Sequence, residues 1–197
     1  MNAPDRDALD AQDMARLAGG DDAALNDLMD RHGGRLFHYL IRSLQDEQDA
    51  ADLAQETFAR VYQHRAKFDP RQKFTTWLYA IAGNLVRDRY RWRARHPQVS
   101  LQAQAEPAQG RLQDHLPALA PSPDQSLQTR ERADAVRQAV ATLPEELRQP
   151  LLLAVYEELP QAEIATVLKC SVKAVETRIY RARQRLRPTL ARFLEAP

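Results

Sequence analysis

The stretch that decides the fold is Leu159 to Arg187, LPQAEIATVLKCSVKAVETRIYRARQRLR. It predicts two short helices joined by a tight turn. The second helix follows Ser171, whose hydroxyl can cap it. Apolar residues in both helices recur at steps that place them on one inward face. These residues are Ile164, Ala165 and Leu168 in the first helix and Val172, Val175, Ile179, Ala182 and Leu186 in the second.

The other face of the second helix is polar and increasingly basic. It carries Lys173, Glu176, Thr177, Tyr180 and Arg181, and further arginines follow at Arg183, Arg185 and Arg187. A helix of this kind, supported by a shorter partner, is how a helix-turn-helix presents side chains to the DNA major groove. Because three-helix cores can produce a similar pattern, the basic ending is what favours DNA binding.

Composition restricts the class of protein further. Hydrophobic residues make up 44% of the 197 residues, and the formal net charge is +1. The charge is unevenly spread: residues 1–30 hold eight Asp, whereas 71–95 and 169–192 are strongly basic. A single cysteine, Cys170, excludes an intrachain disulfide, and no Cys/His cluster suggests zinc. We therefore expect no metal or cofactor, no signal peptide, no membrane insertion and a cytoplasmic location.

Helical periodicity dominates the chain and predicts an all-α protein with two small helical domains. The first domain is predicted over residues 1–96, where Gly19-Gly20, Gly33-Gly34 and Asp69-Pro70 punctuate the helices. A flexible linker is predicted over 97–128, because five prolines and few large apolar residues cannot offset the entropy of ordering. The second domain is predicted over 129–197. Pro150 is expected to kink its helix or delay its start.

An acidic helix is predicted over Asp46–Gln63, DEQDAADLAQETFARVYQ. Its apolar residues share one face, while Asp49, Asp52, Glu56 and Arg60 share another. Two interpretations stay open from the residues alone. The acids are either a solvated face near the helix N-terminus, where the helix dipole favours them, or a docking surface.

An aromatic and basic segment follows at Phe68–Arg95, FDPRQKFTTWLYAIAGNLVRDRYRWRAR. Trp77 at helical spacing is expected in the core. Five arginines within nine residues repel one another unless an anion is near, so phosphate contact is the better interpretation of this cluster. Basic groups with aromatics that stack on bases are typical of single-strand binding.

These segments together resemble the extracytoplasmic-function sigma factors, specificity subunits of bacterial RNA polymerase. Asp49–Phe58 resembles the family's core-polymerase-binding helix, and Phe74–Asn84 resembles its promoter-melting and −10 segment. Glu163-Ile164-Ala165 and the helix from Ser171 resemble its −35-reading region. The resemblance covers residues 10–93 and 129–190 in the family's order. Lys169 and Glu158 stand where the family often has glycine, and a left-handed backbone at Lys169 would strain it.

The resemblance implies a protein without catalytic residues that directs core RNA polymerase to promoters in response to a signal. Its implied partners are core polymerase, promoter DNA and an anti-sigma factor. The implied polymerase-binding residues are Asp49, Asp52, Leu53, Gln55 and Glu56. The implied −10 residues are Phe68, Lys73, Phe74, Asn84, Arg87, Arg89 and Arg91. The implied −35 residues are Ser171, Lys173, Glu176, Thr177, Arg178, Tyr180, Arg181 and Arg183.

Two other functions are compatible with parts of the sequence. A stand-alone helix-turn-helix regulator explains Leu159–Arg187 but gives residues 46–93 no purpose. A nucleic-acid enzyme would need a metal-binding carboxylate cluster or an activated nucleophile. The acidic segments show no His or Lys partner pattern of that kind. Co-purification with core polymerase separates all three functions.

Overall fold

A computed structural model of the chain describes residues 3–96 and 127–194. The described residues form helices and no strand, and the helices fall into two compact units. The predicted all-α class and the two-domain arrangement are therefore confirmed. The linker predicted over 97–128 lies outside the described residues, except that a helix already begins at Leu127. The predicted domain limits stay a prediction.

The first unit contains four α-helices and one short 3-10 turn. They are α1 (Ala3–Ala18), α2 (Ala23–Leu44), α3 (Glu47–Gln63), the 3-10 turn (Arg65–Lys67) and α4 (Phe74–Arg95). The pairs that pack most closely are α2 with α3, α1 with α2 and α3 with α4. The core lies between them and includes Met14, Leu28, Leu36, Tyr39, Leu40, Phe58, Val61, Leu78 and Val86.

An ionic network fastens α1 to α2. Arg31 donates to Asp10 and to Asp13, and His32 Nε2 donates to Asp10 Oδ1 at 2.8 Å. Near the other end of α1, Arg16 pairs with Asp13, Asp21 and Asp27. The hydrogen bonds that Arg16 donates to Asp27 and Asp21 raise the pKa of Arg16 above its ordinary value. Four of the eight Asp residues at the acidic start of the chain, Asp10, Asp13, Asp21 and Asp27, are thus paired within the unit.

Helix α2 runs without interruption through Gly33-Gly34, which corrects the expectation of a break there. Its core residues on both sides of the glycines are buried, so packing outweighs the roughly 1 kcal/mol that each glycine costs a helix. The Asp69-Pro70 turn is confirmed: Asp69 Oδ1 accepts from the Arg71 backbone N–H at 3.0 Å.

The second unit contains the other four helices, α5 (Leu127–Ala141), α6 (Glu145–Val155), α7 (Gln161–Leu168) and α8 (Val172–Leu194). Helix α8 packs on all three others. Pro150 lies inside α6 and does not delay its start. The buried Arg148 Nη2 donates to Ala141 O and Leu143 O, both at 2.6 Å, so it ties α6 to the end of α5.

In neither of these units does a described helix combine the length and the apolar content needed to span a bilayer.

Candidate functional site

The acidic face of α3 is exposed at three of the five predicted docking residues. Asp46 caps the helix, with its Oδ1 accepting from the Asp49 backbone N–H at 2.9 Å. Asp52, Gln55 and Glu56 point outward. Glu56 pairs with Arg60 at 2.8 Å, so part of its charge is neutralised one turn along. Asp52 accepts a 3.3 Å hydrogen bond from Gln48, and its exposed carboxylate faces solvent.

Asp49 and Leu53 differ from the exposed docking face that was expected. Asp49 is buried and pairs with both Arg89 and Arg93 of α4. Arg93 also reaches Asp46 at 3.2 Å. Leu53 is 5% exposed and belongs to the core. These two residues therefore hold α3 and fix its orientation, while Asp52, Gln55 and Glu56 offer the surface.

An open groove of about 680 Å³ separates α3 from the second half of α4. The walls of the groove carry acidic and basic side chains, and its floor is apolar. Trp92 on the α4 side is 37% exposed, its ring stacks on His96, and the Arg89 guanidinium lies 5.9 Å from the ring centroid. The residues that line the groove include Asp52, Leu53, Glu56, Leu85, Arg89 and Trp92. A helix with apolar and charged residues would fit such a mixed surface.

An aromatic cluster supports the loop before α4. The ring centroids of Phe68 and Trp77 are 5.1 Å apart, and Phe74 lies 6.3 Å from each. Phe68 and Trp77 are half-buried, but Phe74 is 2% exposed. The prediction that Phe74 itself contacts bases does not fit this burial; its ring supports the two neighbours. Lys73 stands exposed at the start of α4, 3.8 Å from Asp7 of α1.

The basic row on α4 divides into two faces. Arg87 donates to Asn84 Oδ1 at 3.0 Å, and Arg91 is exposed with a 3.5 Å contact to Asp88. Arg89 and Arg93 turn instead toward Asp49. The anion that the crowded arginines require is thus supplied partly by the protein itself. The pairing of Arg89 and Arg93 with Asp49 and Asp46 was not predicted, although the spacing of four between Arg89 and Arg93 places both on one face.

The helix-turn-helix is formed by α7 and α8. Ser171 Oγ accepts from the Ala174 backbone N–H at 3.2 Å, which confirms the predicted cap. Lys169 in the turn has φ 52° and Glu158 has φ 56°, so both adopt the left-handed conformation that favours glycine. The inward face is formed by Ile164, Ala165, Val167, Val175, Ile179 and Ala182. Val172 was expected on this face but is 41% exposed, because it is the first residue of α8.

The polar face of α8 is available to a ligand. Tyr180 is 64% exposed, and Lys173, Glu176, Arg181 and Arg183 are exposed beside it. Lys173 and Glu176 form a 3.2 Å ion pair. Thr177 and Arg178 are half-buried, and the Thr177 hydroxyl donates to Lys173 O at 2.9 Å. The exposed set therefore has the mix of donors and acceptors that reads base edges in a major groove.

A helix-turn-helix unit with a basic recognition helix, together with a separate helical unit bearing acidic and basic-aromatic surfaces, defines a DNA-binding transcription factor. Residues 28–96 match the family Sigma-70 region 2, and residues 133–186 match Sigma-70, region 4.

Known proteins similar to the chain narrow this class. The RNA polymerase sigma-H factor of Pseudomonas aeruginosa is 34% identical over 94% of this chain and 95% of its own length. The ECF RNA polymerase sigma factor SigW of Bacillus subtilis is 33% identical over 87% of this chain and 91% of its own. The solved structure of CnrH in complex with the cytosolic domain of CnrY has a TM-score of 0.67 at 27% identity. That likeness covers 95% of this chain and 99% of that one.

The chain belongs to the extracytoplasmic-function sigma factors. It is a non-enzymatic transcription initiation factor that directs core RNA polymerase to promoters.

Proposed function

We propose that the three surfaces divide the work of promoter selection. The outward face of α3, formed by Asp52, Gln55 and Glu56, docks on core RNA polymerase. The segment from Phe68 to Lys73, with Asn84, Arg87 and Arg91, captures the opened −10 strand. The polar face of α8 reads the −35 duplex. The observation that carries the docking assignment is the solvent-facing row of acids on α3 beside the α3–α4 groove.

The −10 surface fits single-stranded DNA because exposed bases can stack on half-buried aromatics while arginines contact phosphates. Phe68 and Trp77 supply the aromatic surface. Lys73 lies exposed beside it at the start of α4, and Arg91 lies exposed further along the same helix. On α8, Glu176 can accept from a cytosine amino group, and Arg181 can donate to guanine. Ser171 acts here by capping α8. Thr177 acts here through its hydrogen bond to the backbone of that helix.

We propose further that an anti-sigma factor controls this protein in the cytoplasm, where it meets polymerase. CnrH, the structural relative described above, is bound to the cytosolic domain of CnrY. The α3–α4 groove, with Trp92 and Leu85 between charged walls, is where such a partner would compete with polymerase. Release of that partner would couple transcription to an environmental or envelope signal.

The docking assignment is tested by the charge reversal Asp52→Arg. Since Asp52 is exposed and makes no ion pair that the structure records, the substitution buries no charge and should leave folding intact. Losing a complementary charge at the interface should weaken core binding about tenfold or more at about 0.1 M salt. The measurement is a titration of full-length protein with core polymerase, with circular dichroism to verify the fold.

The matched control is Glu131→Arg, the same reversal at an exposed position on α5. It should leave core affinity unchanged. A folded Asp52→Arg protein that binds core as tightly as the control would remove α3 from the docking surface.

A further inference from the structure

Helix α1 lies outside the residues that match Sigma-70 region 2, yet it packs against the 3-10 turn and α4 as well as α2. It therefore touches the elements that frame the proposed −10 surface. The contacts between them form a continuous series from a buried carboxylate of α1 to the aromatic cluster.

The first contact is between Asp10 and His32. Asp10 is fully buried, and His32 is 3% exposed. His32 Nε2 donates to Asp10 Oδ1 at 2.8 Å, and Arg31 pairs with the same carboxylate. The second contact joins His32 to Phe74, whose ring centroids are 5.1 Å apart with the planes tilted at 56°. Phe74 in turn contacts Phe68 and Trp77.

Stability alone is a poor reason for this arrangement. A buried carboxylate costs desolvation energy that its partners only partly offset, and apolar residues of similar volume often stabilise such a position more. What a charged hydrogen bond adds is direction: it holds His32 Nε2 toward Asp10 and so restricts the ring more closely than an apolar contact, which has no preferred direction. The fixed imidazole then presents one surface to Phe74.

We propose that His32 is a positioning residue for −10 recognition, held by Asp10 of α1 and acting through Phe74 on Phe68 and Trp77. This rests on the proposed role of the Phe68–Lys73 segment. Asp7 adds a second link from α1 to the same loop, because its carboxylate lies 3.8 Å from Lys73 Nζ. Helix α1 thereby sets the shape of the surface that meets the opened strand.

Two substitutions distinguish the contact between Asp10 and His32 from the contact between His32 and Phe74. His32→Gln keeps a polar partner for Asp10 but removes the ring from Phe74. His32→Phe keeps a ring against Phe74 but removes the hydrogen bond to Asp10. The matched control is Arg16→Gln, which breaks the α1–α2 ion pair with Asp27 together with the pairs to Asp13 and Asp21, six residues further along α1 and about 9 Å from Asp10 along the helix axis. It loosens α1 without touching the aromatic cluster.

The experiment uses full-length protein with core polymerase on two promoter libraries, one varied at −10 and one at −35. For His32→Gln we expect the preference among −10 sequences to change by about 2- to 10-fold, the range that one aromatic contact supplies. His32→Phe should change it less. Preference among −35 sequences should stay as in the wild type for both. Arg16→Gln should leave both libraries unchanged.

A spectroscopic measurement reports on the cluster itself. In a Trp92→Phe background, Trp77 is the single tryptophan, so its emission follows the packing of Phe68 and Phe74 around it. The emission should shift for His32→Gln and stay constant for Arg16→Gln. If His32→Gln does not fold, His32→Phe and Asp10→Asn test the contact between Asp10 and His32 instead, because both remove the charged hydrogen bond and keep a ring against Phe74; a smaller shift of the emission is then expected.

A folded His32→Gln variant with wild-type −10 preferences would overturn the inference. An equal change of −10 preference in Arg16→Gln, at the same folded fraction, would also overturn the inference. The proposed function fails separately: in that case the wild-type protein itself would give transcription that does not depend on the −10 sequence.

Discussion

At the scale of single residues, Asp49 decides how the basic zone of α4 is interpreted. One carboxylate of α3 accepts from both Arg89 and Arg93 and is 9% exposed. Removing one partner from a buried pair leaves a charge without compensation, which is costly. Both arginines are about a quarter to a third exposed, so solvent reduces this cost. Arg89 and Arg93 therefore stabilise the first unit, whereas Arg91 stays exposed.

We predict that Arg93→Ala lowers the free energy of unfolding by about 1–3 kcal/mol. Arg91→Ala should change it by less than about 0.5 kcal/mol, because the ion pair of Arg91 with Asp88 is exposed. Arg91→Ala should instead reduce the salt dependence of promoter binding by the holoenzyme by about one phosphate contact. Urea unfolding and binding across a salt series measure the two effects. Equal loss of stability in both variants would contradict the assignment of Arg93 to stability and of Arg91 to a phosphate contact.

The role of Asp49 could not be predicted from the sequence. Helical periodicity places Asp49 and Asp52 near each other on α3, but only the position of α4 makes one of them buried. The same limit applies to Phe74, whose burial depends on His32 of α2. By contrast, the Ser171 cap and the exposure of Tyr180 follow from local spacing alone, and both are confirmed.

At the scale of elements, α2 shows how tertiary packing overrides a local signal. Gly33-Gly34 in the sequence indicates a break, yet the helix continues because Leu28 and Leu36 bury their side chains on either side of it. Gly33 keeps helical backbone angles, and a Cβ built on it meets nothing within 4 Å. Gly20, in the turn between α1 and α2, has φ +94° and is therefore constrained differently.

We predict that Gly33→Ala raises the free energy of unfolding by about 0.5–1 kcal/mol, since alanine restricts the unfolded chain and fits the helix. Gly20→Ala is the matched control and should lower it by about 1–2 kcal/mol, because an L side chain is strained at positive φ. Urea denaturation of both variants measures this. Destabilisation by Gly33→Ala would mean that a neighbour needs the space beside α2.

At the scale of the whole molecule, two small helical units share one chain whose net charge is only +1. The two-domain all-α arrangement could be predicted because each unit has its own periodic helices and its own basic zone. The contacts inside each unit could not, since they depend on which helices pack together. In the first unit, several arginines of α4 are paired within the protein and Asp residues crowd α1 and α2, whereas the exposed arginines of the second unit lie on the single helix α8.

This charge distribution predicts that the free protein binds promoter duplex weakly and without sequence preference, with dissociation constants of about 10⁻⁴–10⁻⁶ M at physiological salt. Core polymerase should change that, because holding both units on one scaffold makes the second contact effectively intramolecular. The holoenzyme should then prefer a promoter over a scrambled duplex by about 10³-fold or more, with an affinity that falls steeply as salt rises.

Fluorescence anisotropy with labelled duplexes measures the free protein, core polymerase and the holoenzyme in parallel. Core polymerase alone should show no promoter preference. If the free protein chose the −35 duplex at physiological salt as well as the holoenzyme does, α8 would be acting as the reader of a stand-alone regulator.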